Sequence, residues 1–89
     1  MDKEIARSVV KEMQNAIQKM EDSLVFVRNG CSTEEFAAYR YGIGHALSEI
    51  HDRILDPIIR EHPDLLPEDV DYVPPAGPTM AEMIKQYRS

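Results

Sequence analysis

The chain has 89 residues, 16 acidic against 10 basic, and a formal net charge of −6. A chain this short builds one small core, and its negative balance, with no stripe of Lys or Arg to offset it, argues against a nucleic-acid or anionic-membrane surface. Cys31 is the lone cysteine, which rules out an internal disulfide framework and fits a reducing, cytoplasmic setting.

From about residue 2 to 28 the chain reads as one amphipathic helix without Pro or Gly. Asp2 and Glu4 stand near its start, where the helix dipole favours negative charge, and the opening Met1-Asp2-Lys3-Glu4 has no apolar stretch of the signal-peptide kind. Ala6, Val10, Met13, Ile17, Met20 and Leu24 alternate by fours and threes, the seam of a helix that packs lengthwise on another. Asn29-Gly30 predicts a left-handed helix end, and Ser32-Thr33-Glu34-Glu35 predicts a capping box that opens the next helix.

That second helix is expected over about 32–61. Its seam, Phe36, Arg40, Ile43, Leu47, Ile50 and Ile54, mirrors the first: taken in layers, 24 with 36 and so on to 6 with 54, each pair of positions sums to 60. Reflection about a point near Gly30 predicts an antiparallel helical hairpin over 1–62. Val9 and Ala16 on the first helix, and Ala37, Tyr39 and Ala46 on the second, widen the apolar stripes beyond what one partner helix covers. The predicted architecture is therefore an all-α single domain whose hairpin pairs with a second copy as a homodimeric four-helix bundle. Arg40 is the one polar seam residue, expected to face Met20 and reach Glu21 or a partner carboxylate, setting register or partner choice.

Ala38, Gly42 and Ala46 recur every four residues on another face, with Gly44 nearby. Each interior glycine costs about 1 kcal/mol against alanine, and close approach of a neighbouring helix would offset that. The row is a candidate dimer contact, set against a helix that is merely somewhat weak. Asp56-Pro57 predicts a kink or a restart, with Asp56 as the new cap, and His62-Pro63 predicts the end of the helix. Leu66 to Asp69 has the composition of a further short turn. An extended arm over 63–78 follows, carrying Pro74, Pro75 and Pro78. Thr79 and Glu82 open a short helix over 79–89 with an apolar face of Met80, Met83, Ile84 and Tyr87. That face is marginal alone, and either docks on its own hairpin or a dimer mate, or captures another protein.

Chemistry is sparsely signalled. His45, Glu49, Asp52 and Asp56 line one helical face, a pattern that would ligate a divalent metal or relay a proton; the alternative is a solvated polar face. His51 and His62 stand alone, and Cys31 at a helix entry reads as an ordinary exposed thiol or an activated one. No phosphate-binding glycine loop, Cys/His metal pattern or nucleophile elbow is present, so no catalytic residue and no cofactor are assigned. Charge is segregated: Glu49 to Asp71 holds eight acidic and two basic residues, the rest being neutral. Such an end favours a basic protein partner, or simply keeps the chain soluble.

Phe36-Ala-Ala-Tyr-Arg40, Gly44-His45, Glu49, Pro57 and His62-Pro63-Asp64-Leu65 together resemble small uncharacterised bacterial helical proteins. These share an aromatic-Tyr-Arg start, a mid-helix glycine and a His-Pro-Asp-Leu end. The resemblance spans the second helix and its exit, implies a bacterial cytoplasmic origin, and brings no activity with it. The functional expectation is a non-enzymatic interaction module with itself as partner and a further protein partner, for which the acidic end favours a basic one; an acidic inhibitor of a basic protein and a metal-dependent bundle are the alternatives.

Overall fold

A computed structural model describes residues 1–66 and 72–87, and its regular structure there is helical, without a strand. Helix α1 runs Lys3–Gly30 and helix α2 Thr33–Ile50. Asp2 caps α1, its carboxylate accepting from the backbone N–H groups of Glu4 and Ile5 at 3.1 and 3.3 Å. Ser32 and Glu35 form the reciprocal capping box that the sequence predicts for α2. No helix among the described residues is long and apolar enough to cross a membrane.

The corner between the helices is tighter than Asn29-Gly30 suggests. No described residue has a positive φ. Instead of ending in a left-handed residue, α1 continues through Gly30 and stops at Cys31, which is extended at φ −128° and still donates its N–H to the Val27 carbonyl at 3.0 Å. The reversal falls on Cys31 and Ser32 because Ser32, as an N-cap, needs extended backbone before the next helix begins.

The hairpin is antiparallel, as reflection requires. Near the corner the Ser23 and Tyr39 hydroxyls meet across it at 2.6 Å. At the far end Ile50 and Ile54 pack against the cluster that contains Ala6 and Val10. The seam differs from expectation at one layer: Arg40 and Tyr39 are both exposed, and between Phe36 and Ile43 it is Tyr39 that reaches across the hairpin, through its hydroxyl. Tyrosine can lay its ring toward the seam and keep a bonded hydroxyl, whereas arginine there would take a charge out of water. Among the described residues Arg40 forms no ion pair, with Glu21 or otherwise.

The larger departure is at Asp56-Pro57. The helix neither restarts nor takes Asp56 as cap. It passes through a π-helical turn, His51–Leu55, into α3, Asp56–Glu61, with the Asp56 N–H donating to the His51 carbonyl five residues back. Proline at 57 has no N–H, and its ring would press on the carbonyl four residues earlier in a regular helix. The wider turn relieves that contact and accommodates one extra residue. Since each residue of an α-helix turns about 100°, the slip also resets the face. Counted in regular register from Ile43, Leu47 and Ile50, Leu55 and Ile59 would point away from α1; after the slip, Leu55 and Ile58 fall on the seam with Ile59 beside it.

The core therefore sits at the open end of the hairpin. Ala6, Val10, Leu55, Ile58 and Ile59 are its buried apolar members, Ile58 and Ala6 at zero exposure. Leu65, Leu66 and Met80 close over it. α3 ends at Glu61, with His62 at φ −133° before Pro63, as the His-Pro pair predicts. A 3₁₀ turn spans Pro63–Leu65, at the start of the stretch expected to be extended; the short turn expected over Leu66 to Asp69 rests on residues 67–69, which lie outside the described residues. The last helix is shorter than the span 79–89: α4 covers Met80–Met83 behind a Thr79–Glu82 capping box and tightens into a 3₁₀ turn at Ile84–Gln86. Residues 88–89 also lie outside the described residues.

Ile58→Ala should cost about 2–5 kcal/mol in urea unfolding, and Ile43→Ala, on a half-buried seam position, distinctly less. Deleting Asp52 in a Pro57→Ala background removes the extra residue while leaving Ile58 toward Ala6. That chain should keep a single cooperative melt by circular dichroism, and an added alanine after Asp52 should abolish it.

Candidate functional site

Three surfaces remain once the core is assigned: the face of α3 under the proline-rich arm, the outer face of α2, and a groove beside α4. On α3, Asp56 and Arg60 stand one turn apart on the side turned away from α1, and each holds the arm. Asp56 is the buried charged side chain of the described structure, 2 % exposed. Its Oδ1 accepts the Tyr72 hydroxyl at 2.8 Å, and the Tyr72 ring stands edge-on to His51 with centroids 6.4 Å apart. Arg60 donates from Nε to the Pro75 carbonyl at 2.7 Å and from Nη1 to the Pro78 carbonyl at 3.1 Å. Gly77 lies flat against the guanidinium, where a Cβ would come within 2.7 Å of Arg60 Cζ. Among the described residues no buried side-chain polar atom lacks a hydrogen-bond partner.

The carboxylate acts on the phenol it accepts from. The hydrogen bond to Asp56, followed by burial and the negative charge of Asp56, raises the Tyr72 pKa above its ordinary value, because ionisation would break the bond and set two anions together.

The predicted acidic end is partly neutralised from within. Glu49 pairs with Arg53, and Asp64 pairs with Lys3, whose hydrogen bond holds the Asp64 carboxyl below its usual range. Glu61 meets the amino-terminal ammonium at 3.1 Å, and His62 Nε2 meets the Met1 carbonyl at 2.7 Å. These links tie the start of α1 to the end of α3. Asp52 is exposed, and Glu68, Asp69 and Asp71 lie outside the described residues.

The face His45, Glu49, Asp52, Asp56 is not kept together. The π turn rotates Asp56 off the line of His45 and Glu49 and under Tyr72, Glu49 is engaged by Arg53, and His45 stacks edge-on against Tyr41 at 4.4 Å. Among the described residues no three His, Cys, Asp or Glu side chains are placed to share a metal ion. Cys31 is exposed at the corner.

The outer face of α2 is open. Ala37, Arg40, Tyr41, Gly44, His45 and Ser48 line a shallow groove of about 460 Å³. Ala38 and Gly42 are exposed and Ala46 half-buried, and a Cβ at Gly42 or Gly44 would meet nothing within 4 Å. At the other end Met80, Met83, Ile84, Tyr87 and Arg53 border a second, more apolar groove of about 420 Å³. Met83 is half-buried, and Ile84 and Tyr87 are 53 % and 70 % exposed. Sequence reasoning singled out Met83, Ile84 and Tyr87 but missed Asp56, Arg60, Tyr72 and Gly77 as one constellation. A carboxylate followed by proline in an apolar run, Leu55-Asp56-Pro57-Ile58-Ile59, was the available signal that this Asp is buried and needs a donor. No family model, curated protein or solved structure matches the chain.

Raised above its unfolded value of about 10, the Tyr72 pKa makes its bond to Asp56 a stabilising contribution that is complete below that value and lost as pH rises through the folded pKa. In an absorbance titration of tyrosinate, Tyr72→Phe should remove a phenol that ionises above the ordinary tyrosine range, and a loss confined to the ordinary range would count against the Asp56 bond.

Proposed function

We propose that this chain is a non-enzymatic helical interaction module that pairs with a second copy of itself. The contact is the row Ala38, Gly42 and Ala46 on α2, flanked by Arg40, and the product is a four-helix bundle. The observation that carries this reading is that α2, through all of Thr33–Ile50, has no buried residue, although Phe36, Ile43, Leu47 and Ile50 are apolar. A hairpin alone covers one stripe of each helix, and burial of the remaining apolar area by a second hairpin would contribute roughly 25 cal/mol per Å². The open space over Gly42 supports the choice of row, since two backbones can approach closely there, and such approach offsets the cost of glycine in a helix. The apolar face of Met83, Ile84 and Tyr87 is the module's second contact surface.

Multi-angle light scattering should give twice the 10.2 kDa monomer mass. Gly42→Leu places a bulky side chain in a close contact, where overpacking costs about 1–3 kcal/mol, and should shift the dimer to monomer at micromolar concentration while α-helix content is kept. A Gly42→Leu chain that still sediments as the dimer would refute this row as the contact.

A further inference from the structure

The arm is held in the manner of a bound peptide. Between Tyr72 and Pro78 it is extended and carries three prolines, so it has few N–H groups to offer and is not recognised by strand pairing. Recognition falls on its carbonyls, which an extended proline-rich segment leaves without internal partners, and on the side chain at its head. α3 supplies a group for each: the fork of Arg60 takes the Pro75 and Pro78 carbonyls, Asp56 takes the Tyr72 hydroxyl, and the guanidinium packs against Gly77, where a Cβ would push it aside. The pattern read is Tyr-x-x-Pro-x-Gly-Pro, and the groups that read it are those of a selective site. With the arm seated Asp56 is 2 % exposed, and a carboxylate so covered is costly without a donor, so a segment that covers this site must bring a hydroxyl and not just an apolar surface.

We propose that the face of α3 between Asp56 and Arg60 is a binding site for an extended, proline-rich segment of another protein that carries a tyrosine at its head, and that the chain's own arm occupies the site as an intramolecular competitor. This rests on the interaction-module reading, but not on the dimer: the site is read by peptide binding, the dimer by mass. A tethered competitor acts at an effective concentration of millimolar order, so an incoming segment binds the intact chain weakly and a chain with a weakened arm strongly.

The test uses the full chain and a fluorescein-labelled peptide, Tyr-Val-Pro-Pro-Ala-Gly-Pro-Thr, copied from residues 72–79. Fluorescence anisotropy should show the peptide binding a Tyr72→Phe, Gly77→Val chain at least about tenfold more tightly than the intact chain, the factor by which arm release raises the competent fraction. Asp56→Ala or Arg60→Met added to that chain should abolish binding, as should phenylalanine in place of the peptide's tyrosine. Equal affinity for intact and arm-weakened chains, or affinity indifferent to Asp56 and Arg60, overturns the proposal. So does an arm-weakened chain that recruits a second intact chain through the same two residues, which would make the occupant another copy. Circular dichroism checks the helices of each variant, and Tyr72→Phe alone serves if the double change unfolds. Unfolding of both would make the arm a structural element and not a competitor.

Discussion

Everything in this fold depends on the packing of Leu55, Ile58 and Ile59 against Ala6 and Val10. These are the positions where apolar area is fully withdrawn from water, and they lie at the end of the hairpin farthest from its corner. The rest of the seam is only half-covered, from Met13 to Leu24 on one side and Phe36 to Leu47 on the other. The requirement that the Leu55 to Ile59 run face α1 explains the π turn, and the turn in turn makes room for Pro57. One backbone irregularity thus reconciles a proline that a regular helix rejects with an apolar run that a regular helix would aim wrongly.

The same irregularity creates the candidate surface on α3. By resetting the register it turns Asp56 off the exposed line of His45 and Glu49 into a buried place, where a lone carboxylate beside apolar neighbours needs a donor, and the arm brings Tyr72 to it. Arg60, one turn on, faces the same way and holds the proline carbonyls. The base of the molecule is then closed on three sides: by α1, by Leu65 and Leu66, and by the arm with Met80. Toward the corner nothing comparable covers α2, and this contrast between a sealed base and an open upper helix motivates a second copy as the missing cover.

Much of this was legible in the sequence because local rules govern it. Both helices, both capping boxes, the helix end at His62 and the reflected seam follow from spacing and from the chemistry of Asp2, Ser32 and Thr79. What was not legible depends on register and on distant contacts. Arg40 and Tyr39 differ by one position, and the periodicity alone tolerates either on the seam. Only the cross-hairpin bond to Ser23, or the cost of a buried guanidinium, separates them. Asp56-Pro57 carried two local solutions, kink and restart; the chain keeps one continuous helix with a π turn at His51–Leu55, and only the burial of Ile58 selects that form. The partners of Asp56 and Arg60 lie 15 to 18 residues away, across a segment without periodicity, where no spacing rule reaches. Asn29-Gly30 shows the converse: a strong local signal for a left-handed end was overridden by the capping demand of Ser32.

A core lodged where the two helices of the hairpin finish has a kinetic consequence. Contacts beside the corner close short loops cheaply but gain little, being half-wet. The contacts that gain most join Ala6 to Ile58, and the roughly fifty-residue loop between them costs on the order of 3–4 kcal/mol in chain entropy beyond a constant. Zippering from the bend therefore climbs until the last layers meet, so that partly closed forms are sparse and the chain is committed only when its two ends arrive together.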